Sequence, residues 1–400
     1  MPESKSPHRG TPVEVFFAFF KLGFISFGGP IAHLGYFRDE FVGRRKWIDD
    51  KAYAELVALC QFLPGPASSQ VGFSLGLFRT GTLVGGLSAC LAFTLPSAIL
   101  MAALGLGAAS FSGETADALL HGLKLVAAAI VAQAVWGMAK SLTPDLPRIG
   151  IGAAALLLAS LLAGAAGQLG AIVLGAIAGM FLCAGHTPLA REGRFVPVSK
   201  RSAWIALTLA ALLFIGLPVL AQLAMSPFPA FFEAFYRSGA LVFGGGHVVL
   251  PLLEASVVAP GWVSADSFLA GYGLAQAMPG PLFTFAAYLG AAAVQPLGGI
   301  VAACLALMGI FLPGLLLVYG ALPFAADLQA RPKADAAIRG ANAAVVGILA
   351  AALYDPVLQA AVLSWQDAAI AVAGFCLLVY ARIPSWAVVV VLPLASLALS

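Results

Sequence analysis

The chain has 400 residues, of which 61% are hydrophobic and only 10% charged, with a mean hydropathy of +0.97. A soluble domain carries roughly a quarter charged residues, so the composition excludes an ordinary soluble protein and predicts an integral membrane one. The net charge of +3 is scattered over loops and gives no footprint for a nucleic-acid partner.

Residues 1–12 are polar and Pro-containing and read as a disordered cytoplasmic tail, with no signal-peptide cleavage pattern. Thirteen apolar segments follow, near 13–37, 52–78, 82–109, 117–139, 149–166, 168–184, 203–224, 230–256, 266–291, 294–322, 335–354, 366–381 and 384–399. They are helical in length rather than short and alternating. The expected fold is therefore an all-α polytopic membrane protein.

The first segment is interrupted by Phe27-Gly28-Gly29-Pro30 and the second by Leu63-Pro64-Gly65-Pro66. A helix breaker inside a bilayer is costly unless the freed backbone lines a cavity or packs in protein. Both interruptions reappear about 215 residues later, as Phe243-Gly244-Gly245-Gly246 and Met278-Pro279-Gly280-Pro281. Lys21 pairs with Arg237, Trp47 with Trp262 and Gln61 with Gln276. Leu95-Pro96 pairs with Leu312-Pro313, and His121-Gly122 with Arg339-Gly340. The chain thus divides into a first transporter repeat (13–185), a linker with a connecting helix (186–229) and a second repeat (230–400). Each repeat holds six segments.

Six segments followed by one crossing place the second repeat upside down. Loop charges agree with this under the positive-inside rule. The linker 186–202 carries Arg191, Arg194, Lys200 and Arg201 against Glu192 and is placed in the cytoplasm; the acid-only stretch from Asp355 to Asp367 is placed outside. The N-terminus is then cytoplasmic and the C-terminus periplasmic. Residues 38–51, with Arg38, Arg44, Arg45, Lys46 and Lys51 among four acids, fall outside if segment 1 crosses. They fall inside if segments 1 and 2 are re-entrant hairpins that turn at their breaks. Both arrangements are open at this stage.

The breaks carry the candidate chemistry. Consecutive glycines let backbone N–H groups converge on an anion, and Pro66 and Pro281 suit the first position of a new half-helix. Such an N-terminus favours an oxyanion. Short or broken segments at matching places in two repeats point to a transporter's binding site. The expected substrate site comprises Phe27, Gly28, Gly29, Pro30, Pro64, Gly65, Pro66 and Ser68 in the first repeat. Gly244, Gly245, Pro279, Gly280 and Pro281 answer them in the second. Lys21 and Arg237 add cations at membrane depth, and Gln61 and Gln276 add polar side chains before the Pro-Gly-Pro breaks. His33 and Glu55 are candidates for proton coupling, with His247, Glu233 and Glu254 as weaker ones. Lys124 and Arg339 read as anchors or outer cations. The five cysteines stand alone in apolar segments and point to neither metal nor redox chemistry.

These motifs, repeated across nearly the whole chain, resemble the chromate ion transporter family in its long, two-half form. The resemblance implies export of chromate from the cytoplasm across the bacterial inner membrane, with sulfate as the close analogue and halves in opposite orientation. Gly246 in place of Pro30 and Phe283 in place of Ser68 depart from an equal contribution of both halves. With no Walker A sequence, an ion gradient is the expected energy source. No cofactor or catalytic constellation is expected, and a homodimer remains open. The competing readings are a carrier of sulfate or another tetrahedral oxyanion, an anion channel, and a membrane-bound chromate reductase. The last would need clustered thiols, a flavin fold or metal-ligand spacing.

Overall fold

The computed structural model describes residues 10–108, 113–162, 164–183, 198–243, 246–294, 296–325 and 331–399. Among them are seventeen helices of eight residues or more. The first half holds α1 (Pro12–Ile25), α2 (Gly29–Phe37), α3 (Asp50–Phe62), α4 (Ala67–Thr80), α5 (Leu83–Gly107), α6 (Glu114–Leu142), α7 (Leu146–Leu161) and α8 (Ala165–Leu182). The connecting helix is α9 (Lys200–Leu223). The second half holds α10 (Phe228–Ala240), α11 (Val249–Val257), α12 (Ala265–Ala275), α13 (Phe285–Ala292), α14 (Ile300–Ala321), α15 (Pro332–Ala352), α16 (Trp365–Val379) and α17 (Ser385–Leu399). The thirteen expected segments become seventeen helices because the four that hold breaks each split in two. Five helices, α5, α6, α9, α14 and α15, are long and apolar enough to cross a bilayer.

Each split segment folds back on itself. Were α1 and α2 one straight helix, Phe19 and Phe41 would lie about 33 Å apart at 1.5 Å per residue. Their rings stack with centroids 4.6 Å apart, and Phe19 also meets Phe37 at 5.4 Å. The second segment turns back in the same way. Arg79, at the end of α4, accepts a backbone bond from Gly10 (2.9 Å), pairs with Glu14 (3.0 Å) and lies 5.3 Å over the Trp47 ring. The two hairpins therefore share one base, where α1 starts, the 38–51 loop turns and α4 ends. The loop's charges are largely self-paired: Arg38 with Asp50 at 2.6 Å, and Glu40 with both Arg44 and Arg45. Burial raises the Glu40 pKa, but the two guanidiniums more than offset it and leave the carboxyl below its ordinary value.

The second half repeats the design. Phe231 meets Trp262 at 5.3 Å, and Val294 donates to the Trp262 carbonyl at 2.9 Å. This gives a second base where α10 starts, the 258–264 loop turns and α13 ends. Helix α5 leaves the first base and ends against α13, with Gly105 packed on Tyr288 and Ala291. Helix α14 leaves the second base and ends in the aromatic core of the first, where Tyr319 meets Phe73 at 6.4 Å.

The outer helices are exchanged between halves. Helix α15 of the second half packs on α7 and α8 of the first; α16 and α17 of the second half pack on α6 of the first. Small residues permit the approach. A Cβ on Gly122 would sit 2.3 Å from Pro393, and one on Gly340 2.1 Å from the Gly175 carbonyl. The outward faces carry large apolar side chains, such as Leu212, Ile215 and Leu223 of α9, as expected beside lipid.

Residues 10–12 are ordered: Thr11 caps α1 by accepting from the Glu14 N–H, and Pro12 opens the helix. Of the expected tail, Thr11 and Pro12 thus belong to the start of α1, and residues 1–9 lie outside the described residues. The same holds for residues 184–197 of the linker, including Arg191 and Arg194.

Candidate functional site

The four breaks meet at the centre through two reciprocal backbone bonds. Gly65 N–H of the first half donates to Val242 O of the second at 2.8 Å, and Gly280 N–H of the second donates to Ser26 O of the first at 2.9 Å. The four residues are repeat counterparts, so one contact occurs twice. Gly65 packs against Gly314 and Gly280 against Ser97, which are counterparts again, just after Pro313 and Pro96. Pro30 touches Gly246, its own counterpart. Gly28, Gly29, Gly65 and Gly280 all have positive φ, between +78° and +120°, which a side chain would strain. Gly244 and Gly245 lie outside the described residues.

This corrects the expected ligand set in one respect. The N–H groups of Gly65 and Gly280 are committed to the opposite half, and so are not free for an anion. Pro66 and Pro281 are the cap residues, one place before the turns they precede. The helices that start after the breaks, α2 and α4 in the first half and α11 and α13 in the second, all lack a side-chain cap, whereas Thr11, Asp49 and Thr82 cap the starts of α1, α3 and α5.

Lys21 does not point at the breaks. It is exposed on the stripe of α1 that carries Val13, Phe17 and Phe24, opposite the buried Phe19, Leu22 and Gly23. Arg237 is half-buried and paired with Glu233 at 3.3 Å. The difference has a physical cause. Helix α9 covers the matching side of α10, with Tyr236 donating to the Ala210 carbonyl at 3.0 Å. No connecting helix serves α1. Gln61 is exposed on α3, so it is not the glutamine at the break. That place belongs to Gln70, whose Nε2 donates to Pro64 O (2.9 Å) and Gly314 O (3.0 Å), tying the first Pro-Gly-Pro turn to α14. Gln276 is partly buried, its carbonyl accepting from Ser385 at 3.0 Å. Phe27 flanks the tip, half-buried.

His33 is fully buried and its Nδ1 lies 3.4 Å from the Ser68 hydroxyl, joining α2 to α4; the Ser26 backbone is also within its reach. Glu55 is buried on α3. His247 bonds the Tyr272 hydroxyl at 2.9 Å. Lys124 pairs with Asp266 at 2.9 Å and Arg339 with Asp335 at 2.8 Å, which makes both structural ties. Sequence reasoning missed Ser26 and Thr94, and noted Ser69 and Gln70 only as polar residues after the first Pro-Gly-Pro break that the second half does not match. The signal that would have found them is a comparison of halves: their counterparts are Val242, Thr284, Phe285 and Phe311.

The profile of the chromate transporter family matches residues 13–181 and again 229–398. The chain belongs to the chromate transporter family. The two matches in this family member stop within α8 and resume at α10, so α9 is the added element between two copies. The chain is 29% identical over 342 residues to a probable chromate transport protein of Synechococcus elongatus, covering 84% of this chain and 82% of that protein. It is 28% identical over 361 residues to a chromate transport protein of Pseudomonas aeruginosa (88% and 82%). A chromate transport protein of Cupriavidus metallidurans is 28% identical over 343 residues (84% and 80%). No solved structure matches the chain.

Proposed function

We propose that the chain is a secondary active transporter that exports chromate from the cytoplasm across the bacterial inner membrane, driven by an ion gradient. The supporting observation is the pair of reciprocal tip bonds, Gly65 to Val242 and Gly280 to Ser26. A fixed pore needs no such symmetric contact between two broken hairpins. A carrier does, because each half can part from the other at mid-membrane in turn. In this reading the two halves are inverted, each split segment is a re-entrant hairpin, and the proton-coupling candidates are Glu55 and His33.

Inverted vesicles that contain the protein are expected to accumulate labelled chromate under an imposed ion gradient, and a collapsed gradient to stop them. Sulfate in excess is expected to compete less than unlabelled chromate. Stronger competition by sulfate would reassign the substrate, and rapid electrical conduction without coupling would make the protein a channel.

Topology has its own test. In a protein stripped of native cysteines, Asp39→Cys is expected to be labelled only from the cytoplasm and Pro260→Cys only from outside. Both positions are exposed, one on each hairpin base. Labelling of Asp39→Cys from outside would remove the re-entrant reading.

A further inference from the structure

We propose that the transported oxyanion is held by the first half alone, in a pocket formed by Ser26, His33, Ser68, Ser69 and Thr94. The second half supplies an apolar closure. The proposal rests on the oxyanion-carrier reading above and adds where, and by which groups, the anion is bound.

Five polar atoms on residues at or near the two first-half breaks are buried without a hydrogen-bond partner: Ser26 Oγ, His33 Nε2, Ser69 Oγ, Gln70 Oε1 and Thr94 Oγ1. Their residues are 0%, 0%, 2%, 0% and 9% exposed. Buried polar groups in folded proteins are nearly always satisfied, so several orphans on the elements that meet at the two first-half breaks mark a place built for a guest. The residues are tied together. His33 reaches Ser68 on α4, its ring meets Phe93 beside Thr94 at 5.3 Å, and Ser26 O takes the Gly280 N–H at the tip. Helix α2 starts at the first of the two first-half breaks and α4 at the second, both without a side-chain cap.

The second half supplies the control. Its counterparts to Ser26, His33, Ser68, Ser69 and Thr94 are Val242, Val249, Phe283, Thr284 and Phe311. Phe283 and Phe311 touch, with ring centroids 6.0 Å apart, and the Thr284 hydroxyl is satisfied by Pro281 O at 2.8 Å. The same backbone positions therefore carry apolar or internally satisfied side chains, and among the described residues the unpartnered atom beside this half's Pro-Gly-Pro break is Gln276 Nε2, outside the matched set. The fold does not require the polar set in the first half, which leaves ligand binding as its use.

The chemistry suits a tetrahedral dianion. If Ser68 donates to Nδ1, Nε2 of His33 carries the proton and becomes a donor that the anion would take in place of the Ser26 carbonyl. Three hydroxyls, this N–H and two helix N-termini then surround acceptor oxygens without a fixed cation. The neighbouring Gln70 spends its amide donors on backbone and serves as a strut. The Cys90 thiol, one turn from Thr94, is within reach of that hydroxyl and is a weak donor only.

The test uses the full-length protein in detergent, titrated calorimetrically with chromate and with sulfate, followed by vesicle uptake. Ser69→Ala, Thr94→Val and Ser26→Ala each remove one hydroxyl with little change in shape. Each is expected to raise the chromate Kd and the uptake KM at least tenfold. Thermal stability without ligand should hold or rise, because an unsatisfied buried group has been removed. Thr284→Val, the second-half control, is expected to leave Kd within twofold. If the wild type binds chromate and all three variants bind it equally well, the pocket assignment is wrong and the carrier reading stands. If the wild type binds and transports no oxyanion, both fall.

Discussion

Gly65→Ala and Gly280→Ala are each expected to abolish chromate transport while the protein still inserts. Both glycines have positive φ, +120° and +92°. A Cβ at Gly65 would meet Gly314 Cα at 2.9 Å, and one at Gly280 would meet Phe93 O at 3.1 Å. Backbone strain of this kind costs about 1–3 kcal/mol, and the clash forces the tips apart. The N–H donations to Val242 and Ser26 are lost with them. An alternating carrier needs its states within a few kcal/mol of each other. A shift of about 2.7 kcal/mol on one of them alters their ratio on the order of 100-fold. Uptake into inverted vesicles, scaled to the amount of inserted protein, gives the answer. Gly164→Ala is the control, with φ of +91° but no atom within 4 Å of the new Cβ; it should transport nearly as well as wild type. Equal uptake by all three variants would remove the tip contact from the transport cycle.

A cut chain should show the second large effect. Residues 1–190 and 191–400, made together, are expected to restore transport; made separately, each should be degraded. The reason is the exchange of outer helices. Within its own half, α6 lacks the two helices that cover it, because α16 and α17 belong to the other half. Helices α7 and α8 alone would leave open the face that Gly175 and Gly179 present to Gly340. Membrane helices associate through such close packing of small residues rather than through burial from water. Immunodetection of each half after synthesis is stopped reads the lifetime directly. A first half that persists alone, and transports alone, would contradict the interlocked arrangement.

Much of this was legible in the sequence. Periodic matches at about 215 residues located the duplication, the breaks and the added helix, because helix breakers and a tryptophan loop leave strong local marks. Reversal at the breaks was one of two open arrangements; the stacking of Phe19 on Phe41 shows the chain folding back, and the labelling of Asp39→Cys tests on which side the 38–51 loop lies. Side-chain direction was not legible. Lys21 and Arg237 occupy one repeat position yet differ in surroundings, since α9 covers only α10. Gln61 was chosen over Gln70 because it repeats; the glutamine that holds the break is the one replaced by Phe285 in the other copy. Repetition identifies what the fold needs, and departure from repetition identifies what one half does alone.

The matched tip bonds also bear on energy. If the two halves were identical in sequence, exchanging their shapes would turn the molecule into its own opposite-facing form at no cost, and it would spend half its time open to each side. Ser26 against Val242, Ser69 against Thr284 and Thr94 against Phe311 break that degeneracy. In the carrier reading these side chains contribute to the resting orientation of the empty protein, and substitutions there should bias which side waits open.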